Sequence, residues 1–371
     1  MNQQITESTN DPNQPALQLH DLFEVLAIAL FTAILVLIPA LFIGVNREFF
    51  YLRDIALIAF NGLIIYSMRI NKVTVIKKWA LYGAILVITG LYINLLPTGT
   101  SDSITLAELH VPLMLWCFSG LTFVQFDYRS LTGRMSFIRF SGELIIMTGL
   151  ILLAGGVLTV VTMGLFSVIG MNISQTYADF IAIPGGVAAP VIAWYLIRNY
   201  PGITSKIAPV IARIFTPVVL ITLTVFLFSL IFSKNKILEN RELLIVFNVM
   251  LLGVLCLIVF SISEINREKT GKNSLIALLL LSAIAIIINS IALAAIVSRV
   301  LDGLTPNRTV VLITNILVFI NLIMIAVKLY RVSFKGATSE IIEKSVANYL
   351  NVYAAWTVIA IFIVPVIFGF R

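Results

Sequence analysis

Charged residues are scarce in this chain, and so are the residue types from which catalytic centres are often built. Only 12% of the 371 residues are Asp, Glu, Lys or Arg, against about 25% in a soluble domain. Histidine occurs twice, at His20 and His110, and cysteine twice, at Cys117 and Cys256. Both cysteines lie within apolar stretches, which argues against a structural disulfide and against a thiolate metal site. The composition therefore disfavours a soluble enzyme and a metalloprotein.

Motifs of nucleotide and metal chemistry are also lacking. The sequence has no Gly-rich phosphate loop ending in Lys-Ser/Thr, no His-Glu-x-x-His and no paired cysteine motif. We therefore expect no enzymatic activity, no catalytic residue, no bound metal and no cofactor. The net charge of +7 has a topological explanation, given below, so we expect no nucleic-acid partner.

Long apolar runs take up most of the chain instead. Hydrophobic residues make up 60% of the sequence, and the mean hydropathy is +1.04. A helix needs about 20 mostly apolar residues to cross about 30 Å of hydrocarbon, and the chain meets this requirement repeatedly. The eleven predicted spans cover residues 22–45, 54–70, 79–97, 109–126, 141–169, 177–198, 209–233, 243–264, 275–299, 309–329 and 349–370.

The predicted fold class is therefore all-α, a polytopic integral membrane bundle of about 11 transmembrane helices. Residues 1–21 form a polar tail without the basic region of a cleaved signal peptide, and we expect this tail to be disordered and cytoplasmic. Residues 22–126 make an N-terminal region of four helices, and residues 137–371 make a C-terminal region of seven.

Basic residues are distributed unequally between alternate loops. Seventeen of the 25 Lys and Arg residues fall at the loops on one side of the predicted spans, and the other eight fall on the opposite side. The positive-inside rule assigns the richer side to the cytoplasm. This assignment places the N-terminus in the cytoplasm and the C-terminus outside, and it accounts for the positive net charge.

Glycine and proline mark two of the spans. The fifth span carries Gly142, Gly149, Gly155 and Gly156, which predicts close approach of neighbouring helices and a tilt or bend. The sixth contains Pro184-Gly185-Gly186 and then Pro190, which predicts a kinked or interrupted helix. Interrupted helices recur at transporter binding sites, although they also occur in membrane proteins that transport nothing.

Charges inside or at the edge of the predicted spans are the candidates for a binding site, because burying them in lipid is costly. Glu143, Arg213 and Glu264 lie at similar depths near the cytoplasmic side, so that they could form one cluster or could each pair locally at the interface. Asp179 lies at the outer end of the sixth span, just before Pro184. It is a candidate proton or cation ligand, or else it stabilises the start of its own helix.

The most patterned loop runs from Gly303 to Arg308. Thr305 is a suitable helix N-cap, Pro306 a suitable first helical residue, and Asn307 and Arg308 follow. The free amides there, with Arg308 beside them, could hold an anion such as a phospholipid headgroup. The alternative is a capped helix start in which Arg308 reaches back to the interface.

This loop also carries a resemblance. Gly303 to Arg308, followed by an apolar helix with Asn315 and Asn321, resembles a segment of the bacterial membrane family called domain of unknown function 4153. The similarity extends more weakly over residues 137–356, about 60% of the chain, and does not include the first four spans. The resemblance implies a multi-pass protein of the bacterial cytoplasmic (inner) membrane, and it carries over no activity and no catalytic residue.

Two functions remain open from the sequence. The many spans, the proline-containing sixth span and the few intramembrane charges favour a permease-like secondary transporter. The alternative is a non-transporting envelope component, whose basic loops would meet membrane lipids or a partner protein. An enzyme acting on lipid would need a nucleophile or a metal site that the sequence does not supply.

Overall fold

A computed structural model describes residues 19–42, 44–97, 101–168, 171–232, 241–265 and 271–370. Within these ranges the chain is helical and has no strand. The helices are α1 (Leu19–Val36), α2 (Ile38–Leu41), α3 (Arg47–Ile70), α4 (Ile76–Leu95), α5 (Asp102–Phe123), α6 (Leu131–Val168), α7 (Ser174–Tyr177), α8 (Ile183–Asn199), α9 (Pro201–Phe232), α10 (Arg241–Glu264), α11 (Lys272–Leu301), α12 (Pro306–Phe334), α13 (Glu340–Val358) and α14 (Val364–Ile367). Two π-helical segments, π1 (Ala178–Ala182) and π2 (Ile359–Ile363), join α7 to α8 and α13 to α14.

The predicted fold class is confirmed: the protein is an all-α polytopic membrane helix bundle. Ten of the described helical segments are long and apolar enough to cross a membrane. The first predicted span, residues 22–45, corresponds to α1 and α2, which are separated at Leu37 just before Pro39. Of the predicted tail, residues 1–18 lie outside the described residues, and residues 19–21 begin α1.

Successive long helices run in opposite directions, as contacts at their ends show. At one face, Lys78 near the start of α4 donates to the carbonyl of Gln125, just past the end of α5 (3.0 Å). At the other face, Arg53 near the start of α3 donates to the carbonyl of Leu96, just past the end of α4 (3.1 Å). We call the first of these the basic face, because it carries the loops richer in Lys and Arg, and the second the opposite face.

Buried side chains from distant parts of the sequence form the core. One cluster joins α1, α3, α6 and α8, where Tyr66, Phe140 and Trp194 meet. A larger cluster contains residues of α6 and of all five helices from α9 through α13. Ile258, Leu281 and Leu322 are fully buried in it. Residues of the predicted four-helix and seven-helix regions therefore pack directly against one another through α6 and α8.

The glycines of α6 do not all serve the close packing that the sequence predicts. A Cβ atom on Gly142 would overlap the ring of Phe260 on α10, so the two helices do approach closely there. Gly149, Gly155 and Gly156 have open space around them. The exposed neighbours of these glycines are apolar, which is the surface that a helix presents to lipid.

The helix predicted to be kinked or interrupted at Pro184 and Pro190 is not interrupted, since the chain stays helical from Ser174 to Asn199, and the kink stays a prediction. Its departure from α-helical geometry is π1, which ends two residues before Pro184, and π2 likewise ends two residues before Pro365. Proline has no N–H and its ring clashes with the carbonyl four residues earlier. A widened π turn directly before each proline gives that carbonyl room without breaking the helix.

Candidate functional site

A mostly apolar groove of about 440 Å³ lies between α4, α5, the start of α6, α13 and π2. Its walls are mostly apolar side chains, among them Met114, Leu121, Phe137 and Leu350. Ile88 at its rim is 60% exposed, so the groove opens sideways toward the bilayer. Such a volume lies within the range of small-molecule sites in proteins, about 300–1,000 Å³.

Tyr128 and Arg134 lie at the basic-face end of the groove, and Thr89 and Asn351 are further polar residues of its lining. The terminal guanidinium N–H of Arg134 donates to the carbonyl of Ala347 on α13 (2.8 Å). Its Nε is buried and has no hydrogen-bond partner among the described residues. Trp116 lines the wall, with its indole N–H held by the hydroxyl of Ser141 (3.0 Å). The groove is therefore a lateral apolar cleft with a cation at one end.

A second pocket, of about 380 Å³, has both polar and apolar walls and lies near the basic face between α9, α10 and α11. It brings together Arg213 and Glu264, two of the three members of the predicted charged cluster. Its walls also contain Thr216 and Ser261, whose hydroxyls are hydrogen-bonded to each other (3.1 Å).

The third predicted member, Glu143, is buried on α6 and does not line this pocket. The cation that reaches Glu264 from α6 is Arg139, at 3.4 Å, and its Nε also donates to the carbonyl of Ser263 (2.9 Å). Arg139 thus ties the start of α6 to the last residues of α10.

Asp179 is 5% exposed and forms an ion pair with Arg47 (2.7 Å), 132 positions earlier in the sequence. Gln175, one turn before it, donates to the same carboxylate (3.0 Å). The loop beside Asp179 contains no basic residue, which is why sequence reasoning missed this partner. The pair links π1 to the start of α3 at the opposite face.

A buried ion pair between Arg53 and Glu108 was also missed. Both side chains are almost fully buried and meet at 2.8 Å. The guanidinium of Arg53 further donates to the carbonyls of Ile93 (2.7 Å), Leu96 (3.1 Å) and Pro97 (3.2 Å). It therefore caps the end of α4 while it joins α3 to α5. The sequence offered one signal for this pair: Arg53 and Glu108 directly precede predicted spans that begin on the same side of the membrane.

At the Gly303 loop, the structure has the geometry of a capped helix. The hydroxyl of Thr305 accepts from the amide of Arg308 (3.3 Å), and Pro306 is the first residue of α12. Gly303 has φ +137°, a conformation that favours glycine. The Arg308 guanidinium donates to the carbonyls of Arg299 (2.6 Å) and Gly303 (2.9 Å). Asn307 is half-buried. An anion at this loop stays a prediction.

Asparagines form a polar group inside the C-terminal bundle, which a prediction from charged residues alone does not reveal. Asn315 on α12 donates to Asn248 on α10 (2.8 Å), and Asn289 on α11 donates to the carbonyl of Asn315 (3.3 Å). Asn321, at the middle of α12, donates to the hydroxyl of Tyr353 on α13 (3.0 Å). Within lipid such side chains join helices by hydrogen bonds.

Among the described residues, no group of three or more His, Cys, Asp and Glu side chains is placed to hold a metal ion. His110 lies within α5, where its ring contacts the carbonyl of Leu106 (2.7 Å). Comparison of this chain with protein-family models, with curated proteins and with solved structures found no match.

Proposed function

We propose that this chain is a non-transporting component of the bacterial cytoplasmic membrane that binds membrane lipid in its lateral groove. The groove itself carries the proposal, because an apolar cleft that opens sideways within a membrane bundle faces hydrocarbon and not water. The surrounding bilayer supplies acyl chains at high concentration, and the apolar walls of the groove favour contact with them.

The arrangement of charge supports a component that holds its helices together. Arg47–Asp179 and Arg53–Glu108 join helices near the opposite face. At the basic face, Arg139–Glu264, Arg198–Asp21 and Arg69–Glu24 join helices in the same way. These ion pairs therefore join helix ends at both faces of the bundle.

In the proposed orientation the basic face is cytoplasmic, the N-terminus lies inside and the C-terminus outside. The excess of Lys and Arg at the loops of that face supports this orientation. Anionic lipid headgroups at the cytoplasmic surface would attract these loops. A protein partner recognised by the same loops is the second form of this proposal, and crosslinking in native membranes would detect it.

Fluorescence of Trp116 tests lipid binding in the groove. The protein and its Trp116→Phe variant are reconstituted with phospholipid that carries bromine on its acyl chains, a short-range quencher. The difference between the two emissions isolates Trp116 from the other three tryptophans. A bound lipid predicts quenching that saturates at a low fraction of brominated lipid. Quenching that only follows the bulk fraction of brominated lipid would overturn the proposal.

A permease-like secondary transporter is the second candidate function. The observation that favours it is the buried asparagine group, because Asn289 and Asn321 lie near the middle of helices and each has a buried side-chain oxygen without a described hydrogen-bond partner. Uptake of labelled amino acids, sugars and organic anions into proteoliposomes tests it. Uptake that is lost in Asp179→Asn or Glu143→Gln would favour transport, and uptake unchanged in both variants would remove these residues from the mechanism.

A further inference from the structure

We infer that the groove binds one phospholipid from the leaflet at the basic face, with an acyl chain along α5 and the headgroup phosphate at Arg134. This inference rests on the proposed lipid binding and adds to it the class of lipid, its leaflet and the residue that recognises its headgroup.

The length of the groove fits one leaflet. On α5 its lining runs from Met114 to just past the helix end at Val124. Ten residues of helix rise about 15 Å, which is half of the roughly 30 Å of hydrocarbon in a bilayer. Along α5 the groove thus reaches from the headgroup level at the basic face to about the middle of the membrane, and on π2 its lining continues to Phe362.

The walls of the groove can accommodate an extended acyl chain. An extended hydrocarbon chain is much thinner than a helix and can lie along the wall made by Met114, Leu121 and Leu350. The apolar walls of the groove therefore suit an acyl chain, which the bilayer supplies.

Arg134 supplies the charge that a phosphate requires. A guanidinium has five N–H donors in a planar fork. One nitrogen of Arg134 donates to the carbonyl of Ala347 (2.8 Å), and the buried Nε has no described partner. The acidic neighbour of Arg134 is Asp127, whose carboxylate accepts from the amide of Arg129 (3.2 Å). A phosphate at the groove end would give the remaining donors of Arg134 a charge-assisted acceptor.

The position of Arg134 fits that role in depth as well as in charge. It lies in the first turn of α6, close to the end of α5, where the apolar wall begins. A lipid whose chain occupies the wall has its phosphate at this level, because the headgroup marks the border of the hydrocarbon. Tyr128, 57% exposed at the same end, has the amphipathic character of side chains at that border.

The first test uses the unchanged protein and two lipids with identical brominated chains, a phospholipid and a diacylglycerol that lacks the phosphate. The readout is the Trp116-specific quenching defined above. We expect the phospholipid to saturate this quenching at an about tenfold lower fraction than the diacylglycerol, as one charge-assisted hydrogen bond implies. Equal saturation by the two lipids would overturn the phosphate inference and leave lipid binding intact.

The second test assigns the recognition to Arg134. Arg134→Gln should abolish the preference for the phospholipid, and Arg129→Gln, a nearby basic residue that does not line the groove, should keep it. A preference that survives Arg134→Gln would overturn the role of Arg134. The absence of Trp116-specific quenching by either lipid would overturn the proposed function itself, so that the two failures are distinguishable.

Discussion

Arg53 on α3 and Glu108 on α5 lie 55 positions apart in the sequence, and their side chains meet at 2.8 Å inside the bundle. Their side chains are only 3% and 6% exposed. A charge buried to this degree is tolerated only when it is paired and hydrogen-bonded. The pair and the three carbonyls that Arg53 binds therefore fix α3, α4 and α5 at the opposite face.

Removal of the acid from this pair should be strongly destabilising. In Glu108→Gln the buried guanidinium of Arg53 loses its counter-charge, and breaking a buried pair costs about 3–5 kcal/mol. The free energy of unfolding, measured by denaturant titration in mixed micelles, checks this expectation. Lys344→Ala is the matched control. Lys344 forms an ion pair with Glu340 in which both side chains are exposed, and such surface pairs contribute at most about 1 kcal/mol. Equal costs in the two variants would contradict the structural role of Glu108.

Two glycines of α6 should respond differently to the same substitution. Gly142→Ala puts a methyl group into the ring of Phe260, and overpacking of this kind costs about 1–3 kcal/mol. Gly155→Ala meets open space and should be neutral or should stabilise the helix by about 0.5–1 kcal/mol. Thermal unfolding of both variants in one detergent gives the comparison. A Gly142→Ala protein as stable as Gly155→Ala would show that α6 and α10 are not in contact there.

Asn315 and Asn248 should be energetically coupled across α12 and α10. A double-mutant cycle with Asn315→Leu and Asn248→Leu should give a coupling energy of about 0.6 kcal/mol, the mean for such hydrogen bonds in membrane proteins. Ser290 on α11 is exposed and bonds its own helix, so a cycle of Asn315→Leu with Ser290→Leu should give none. Coupling that is equal in the two cycles would argue against a specific Asn315–Asn248 bond.

Filling the groove should displace lipid. Ala354 on α13 lines the groove, and Ala355, the next residue, does not and is exposed. Ala354→Phe should reduce the lipid retained per protein after detergent washing, because the added ring takes the space of an acyl chain, whereas Ala355→Phe should leave it unchanged. Lipid is counted by native mass spectrometry. Equal retention in the two variants would locate the bound lipid elsewhere.

The proposed orientation predicts which loops are accessible from outside the cell. In a background with Cys117→Ala and Cys256→Ala, a membrane-impermeant maleimide should label Asp302→Cys in intact cells and should label Lys335→Cys only after lysis. Asp302 and Lys335 are exposed residues at opposite ends of α12. The reverse pattern would invert the topology and would move the groove's charged end to the outer leaflet.

Several helix boundaries differ from the sequence prediction for local reasons. The last span was predicted over residues 349–370, but α13 begins nine residues earlier, at Glu340. Its first turn is polar and was therefore not part of the apolar run. The fifth was predicted from residue 141, and α6 begins ten residues earlier at Leu131. Hydropathy marks the part of a helix that faces hydrocarbon, whereas the hydrogen-bonded helix continues into the polar interface.

Depth in the membrane indicates only some of the contacts between charged residues. Arg213 and Glu264 share a pocket as their common depth suggests, but Glu143 does not line it. Depth says how far a residue lies from the membrane surface and nothing about which neighbour its helix faces. For the same reason, Asp179 was left without its partner Arg47.

The amino-acid sequence by itself determined that this chain is a helical membrane bundle, because the apolar length needed to cross a bilayer is a local property of each segment. It also determined the inequality of charge between the two faces. Only the tertiary structure decided which charges meet, that the helices stay continuous through π turns just before Pro184 and Pro365, and that α4, α5, α6 and α13 leave an apolar groove ending at Arg134. These features depend on how helices rotate and pack against distant neighbours, which no single segment encodes.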